Sequence, residues 1–254
     1  MTRKHVSLFL ALGLIASSAR SQTAVPQQTN ATAILTQLAN AFSAGMPVAR
    51  VQLSGSANWY AGSLQDSGTV TLTVAASGAA TMQLSLAAKG SWTESQSDFG
   101  MGMTCQWAGN DAVLHQGDGM NCVRPTAWFL PSVSLQPALI PTSIGVADLG
   151  TGTVGSGTYR HLQSQAVITA MPTAVLPLSV EASTTDVGVD PNTLLPAVLI
   201  YQVHPDNGAQ VNIPIEVHFS NYQKIGGVEI PFVIERYVNG SLQLEIHVNS
   251  AQIS

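Results

Sequence analysis

Charge is scarce in this chain of 254 residues: Asp, Glu, Lys and Arg together make up 9% of it. That is too little for the charged outer face of a helical bundle, and Thr, Ser, Gln and Asn do the solvating instead. Basic residues are the scarcer sign. Setting aside Arg3, Lys4 and Arg20 in the first segment leaves six basic against fourteen acidic residues, a net charge of −8. Nucleic acid and anionic membrane surfaces need basic patches, so neither is an expected partner. No apolar run reaches the roughly 20 residues of a membrane-spanning helix. HExxH is absent, the glycines beside Ser56, Ser63 and Ser241 lack the pattern of a nucleophile elbow, and Glu181 and Asp190 do not make a carboxylate pair for glycoside hydrolysis. No cofactor is implied, and an enzyme is the least supported class.

Cysteine is nearly absent too. Cys105 and Cys122 are the only two, and their spacing is neither a metal nor a redox motif. The chain opens with Arg3 and Lys4, an apolar stretch from Val6 to Ala16, and then Ser17, Ser18 and Ala19. That order predicts a secretory signal peptide over residues 1–21, cut after Ala19 or Ser21, and a flexible Gln/Thr-rich leader over 22–29. No cysteine lies near the cut to carry a lipid. In an exported chain two cysteines are expected to pair, closing a loop worth roughly 3 kcal/mol in the chain-entropy picture. A single domain is expected over 30–254, soluble in the periplasm or secreted.

What is abundant is alternation. Ile213, Ile215, Val217 and Phe219 are followed by Val228, Ile230, Phe232 and Ile234, and then by Leu242, Leu244, Ile246 and Val248. Period-two patterning over three segments means strands with one wet and one buried face. Gly226-Gly227 and Asn239-Gly240 between them are hairpin turns, which fixes an antiparallel meander. Upstream, Val70, Leu72 and Val74 alternate with threonines, Met82, Leu84 and Leu86 follow, and Trp92 and Met103 to Trp107 read as further strands before a Gly109-Asn110-Asp111 turn. Val187 and Val189 pair across Asp190-Pro191-Asn192-Thr193 with Leu199 to Val203. Near the start, Asn30 or Thr32 caps a short helix with Ile34, Leu35, Leu38 and Phe42 on one stripe, ended by Gly45 and Pro47. Gly145 to Gly157 reads as a hairpin loop, not a phosphate-binding turn, because no helix pattern follows. Pro125, Pro131, Pro137 and Pro141 take Arg124 to Gly145 out of the sheet as a loop or short-helix excursion. About ten strands result.

The run Asp190 to Pro196, Ile213-Pro214-Ile215-Glu216-Val217, and Phe219 to Lys224 with Gly226 to Phe232 resembles the C-terminal half of periplasmic proteins of the lipoprotein-carrier (LolA-like) superfamily, above all secreted members from soil bacteria. The likeness is clear over the last seventy residues or so, and the early helix and strands agree with it. It implies a mainly β fold: a curved antiparallel sheet, an unclosed half-barrel, with a short N-terminal helix and a helical or loop excursion covering the concave face. It also implies that this face holds acyl chains, so the expected partner is a lipid, an acyl chain or a lipoprotein. The excursion, the cysteine pair and the Gly-rich segment depart from the carriers.

The candidate ligand-binding residues are Trp128, Phe129 and Leu130 in the excursion, as a lid or as core under a loop, with Phe232 and Ile234 on the inward meander face. His218 and His247 sit near Glu216, Glu229 and Glu245, either as metal ligands or as a solvated outer face; the second reading is favoured. The alternatives to a binding protein are a structural or interaction β-module that fills its own core and an outer-membrane barrel. The prolines, the helix and the terminal Ser254 argue against the barrel.

Overall fold

The computed structural model describes residues 31–97, 104–117, 119–122, 127–137, 140, 144–167, 176–205, 208 and 210–254. The signal-peptide and leader expectations, Asn30, Met103, Pro125 and Pro141 lie outside these residues.

Helix α1 (Ala31–Ser43) buries the anticipated stripe of Ile34, Leu35, Leu38 and Phe42. Thr32 lies inside the helix instead of capping it. The helix ends where Ala44 and Gly45 turn left-handed, the Ala44 amide bonding back to the Asn40 carbonyl at 2.8 Å. Six strands follow: β1 (Arg50–Ala61), β2 (Leu64–Ala75), β3 (Ala80–Leu86), β4 (Gly90–Gln96), β5 (Cys105–Ala108) and β6 (Leu114–Gln116). Two one-turn helices come next, α2 (Gly119–Cys122) and α3 (Pro131–Ser134), and then the hairpin β7 (Ile144–Val154) and β8 (Gly157–Ala166). Helix α4 (Leu176–Ser183) leads to β9 (Thr185–Val189), β10 (Pro196–Val203), β11 (Ile213–Ile225), β12 (Val228–Val238) and β13 (Ser241–Ile253).

The strands form one antiparallel sheet in the order β6-β5-β4-β3-β2-β1-β13-β12-β11-β10-β9-β8-β7. Two consecutive meanders are therefore joined by their first and last strands, Val51 facing Ile253 and Trp59 facing Leu244. Thirteen strands exceed the expected ten because β5 and β6 are only four and three residues long. The Gly145–Gly157 expectation is corrected: most of that segment is strand β7, and the turn is only Gly155-Ser156. Its glycines alternate with Val146, Asp148 and Thr151 and leave the backbone free to pair, and Gly150 takes a positive φ at the register shift between Asp148 and Thr151.

Curvature comes from close backbone approach. A Cβ on Gly55 would sit 2.1 Å from the His247 carbonyl oxygen, and one on Gly68 would sit 1.8 Å from that of Ser85. Gly55 also lies at the register shift between β1 and β13. Glycine at these two positions lets three adjacent strands coil tightly, which bends the sheet into an unclosed half-barrel.

Because β6 and β7 are opposite edges of the sheet, the chain between them has to cross from one edge to the other, and it does so over the concave face. Pro131 opens α3, where a missing amide hydrogen costs nothing, and Pro137 is exposed. Ala127 to Leu130, Val133 and Leu135 join α1 and the inward residues of both meanders in one core. Most of the concave face is thus filled by the protein itself.

Candidate functional site

One cavity of about 230 Å³ remains on the inner side, between β3, β4 and β5, the excursion and the end of β10. Its apolar wall is Met82, Trp92, Trp107, Trp128, Phe129 and Val203. Register explains the wall. Leu84 faces Trp92, Met82 faces Glu94, Glu94 faces Trp107 and Trp107 faces His115, so all of these point inward with the core side of β3. Trp92 and Trp107 stack at 4.7 Å and 14°, and His115 stacks on Trp107 at 4.0 Å and 13°. A half-buried row of flat rings therefore leads from the cavity to the β6 edge.

Of the residues singled out from sequence, Trp128 and Phe129 reach the cavity, meeting edge to face at 5.6 Å. Both are buried. Leu130 and Ile234 are fully buried in the core, Phe232 packs partly buried against it, and none of the three lines the cavity.

The sequence reading missed an inward charge. Arg236 opposes Val217 and Leu244, both buried, so it occupies the apolar face. Its guanidinium lies 4.7 Å from the Trp128 ring centroid, and Nη1 is 3.6 Å from Glu94 Oε2. Glu94 also accepts a 3.0 Å bond from Trp92 Nε1. Pairing the charges and stacking the cation on an indole make their partial burial tolerable. Arg236 follows Ile234 by two residues, so a charge in the apolar phase of β12 was a readable signal.

The remaining wall is polar. Asn121 in α2 spans to the end of β10 by a reciprocal pair, donating from Nδ2 to the His204 carbonyl and accepting from the His204 amide, both at 2.8 Å. Cys122 is bonded to Cys105 in β5. Gln96 donates to the Cys122 carbonyl at 2.7 Å. The expected disulfide is therefore present, and it ties α2 to the strands that hold the cavity. The His204 imidazole is 6% exposed, and neither ring nitrogen has a hydrogen-bond partner. Nothing in sequence joins Asn121 to His204.

The other histidines lie elsewhere. His218 pairs with Glu216 at 2.6 Å and His247 with Glu245 at 2.9 Å, on the face away from the core. Hydrogen bonds from Asn58, His247 and Tyr60 hold the Glu245 carboxyl below its ordinary range. Among the described residues no three His, Cys, Asp or Glu side chains converge as a metal site would require.

The chain has the fold of the LolA superfamily. It superposes on a domain named for outer membrane lipoprotein sorting from Vibrio parahaemolyticus with a TM-score of 0.57, at 6% identity over 90% of this chain and 94% of that one. A LolA superfamily protein from Nitrosomonas europaea gives 0.54 at 10% identity over 91% and 94%, and a DUF1329 family protein from Desulfovibrio piger gives 0.56 at 10% over the same shares. At such identities the likeness is one of fold. No protein-family model matches the sequence, and we found no match among curated proteins.

Proposed function

We propose that this chain is a non-catalytic binding protein of the cell envelope, exported by its N-terminal segment, that takes a lipid, an acyl chain or the acyl part of a lipoprotein non-covalently on the inner side of its sheet. The observation that carries the reading is the cavity, walled by three tryptophans, Phe129 and Met82 inside a fold shared with a lipoprotein-sorting domain. Trp128 and Phe129 form its deep wall; Leu130, Phe232 and Ile234 support them as core. At a water-like share of about 30 Å³ per small group, the cavity accommodates roughly eight methylene-sized units. At about 0.8 kcal/mol each this is on the order of 6 kcal/mol before ordering costs, enough for weak micromolar binding without a charged anchor. No described helix is long and apolar enough to cross a membrane.

A second reading, a structural or interaction module with a self-filled core, is favoured by the extent to which α1 and Ala127 to Leu135 already cover the concave face. Titration with long-chain fatty acids separates the two. Trp92, Trp107 and Trp128 line the cavity whereas Trp59 does not, so binding changes the indole fluorescence of the wild type and of Trp59→Phe, while Trp107→Phe loses much of the change. Native mass spectrometry of protein from its own envelope is expected to show a bound apolar molecule. A flat titration and an empty native spectrum would leave the self-filled module as the function.

A further inference from the structure

We infer that the Cys105–Cys122 disulfide is a redox-operated latch on this cavity, holding α2 across it as a strap. The inference rests on the proposed binding role and adds its regulation. Three of the cavity's walls are fixed. β3 and β4 are paired along seven residue positions, Val203 belongs to a strand paired on both sides, and Trp128 and Phe129 are packed into the core. The wall at Asn121 is different. Helix α2 has four residues, a single turn that cannot persist on its own. It is held from outside by the disulfide to β5, the Gln96 bond to the Cys122 carbonyl and the reciprocal Asn121–His204 pair. Every one of these anchors except Cys122 itself is a lining residue, so the ties that hold the strap are also the wall of the cavity.

Two further features fit a strap that is held shut and not simply packed shut. Gly117 lies so close against the bridge that a Cβ there would be 2.5 Å from Cys105 Sγ and 3.5 Å from Cys122 Sγ, so the chain threads the disulfide with no side chain to fill the space if it opens. The His204 ring nitrogens are sealed in without partners, and opening the strap returns them to water, which favours the open state. The closed strap therefore depends on its ties. An external dithiol opens the largest of them: one thiolate attacks a bridge sulfur to give a mixed disulfide and expels the other cysteine as thiolate, and the second thiol of the reagent resolves it. Two electrons pass to the protein, leaving Cys105 and Cys122 as thiols and the reagent as its own disulfide.

The test uses the mature chain with a long-chain fatty acid brominated on its tail, which quenches the indoles it touches. Dissociation is followed by stopped-flow fluorescence for oxidised protein, for protein reduced with dithiothreitol and alkylated, and for Asn121→Ala with its disulfide intact. The expected result is dissociation about tenfold faster on reduction, because the loop constraint on the strap is gone, and a smaller acceleration for Asn121→Ala. If reduction costs the chain its β-sheet circular dichroism, Asn121→Ala alone decides. Probe that binds but leaves at the same rate from all three forms overturns the latch and keeps the binding cavity. Probe that binds to none of them overturns both.

Discussion

Deleting β13, residues 240–254, removes a central strand although it is the last in sequence, because β13 lies between β1 and β12. The loss splits the sheet into two meanders and opens two edges, where removing an outer strand would open one. It also takes Leu244, Ile246 and Val248 out of the core, all buried. At about 1.5–3 kcal/mol for each large side chain, the lost burial alone is roughly 5–9 kcal/mol, comparable with the whole net stability of a typical domain, about 5–15 kcal/mol. The truncated chain is expected to aggregate on expression and to show no cooperative urea transition. A graded version keeps the strand: Ile246→Ala empties a fully buried site facing Ala57 and Ile234 and should cost about 2–5 kcal/mol in urea unfolding with an unchanged slope. Ile253→Ala, at the partly exposed end of the same strand, should cost clearly less. A truncated protein that stays monomeric and unfolds cooperatively, or equal costs at the two isoleucines, would refute the central placement of β13.

Gly68→Ala drives a methyl against the Ser85 carbonyl, a backbone atom that cannot swing away, and is expected to lower stability by about 1–3 kcal/mol. Gly152→Ala has open space around it and should stay within about 0.5 kcal/mol in the same urea experiment. Stability should also fall in acid. The Asp66 carboxylate is held low by backbone hydrogen bonds, first from Lys89 and then from Ala88 and Ser67, and Asp190 by those of Thr193 and Asn192. A carboxyl lowered in the folded state stabilises above its unfolded pKa of about 4, and that contribution fades as pH drops through the lower folded value. Thermal midpoints followed from neutral pH downward should be flat to about pH 5 and then decline. Asp66→Asn should lower the neutral midpoint and decline less steeply; an unchanged slope would remove Asp66 from the account.

Local chemistry was legible in the residues. The α1 stripe, the Asp190 turn, and the paired positive φ values at Gly226-Gly227 and Asn239-Gly240 all follow from rules that act within a few neighbours. The alternation of β11 to β13 likewise named its own buried residues, and the exported, acidic, disulfide-bearing character of the chain is written in its composition. Alternation states that a face is covered and is silent on what covers it. Only the tertiary structure decided that the last strand lies at the centre, since the β1–β13 pairing joins residues about two hundred positions apart. It also decided that the excursion fills most of the concave face, that Glu94 and Arg236 meet inside it, and that Asn121 reaches His204 to wall the remaining cavity. Each of these is a contact between segments that carry no mark of each other, made only when the curved sheet brings its two halves together.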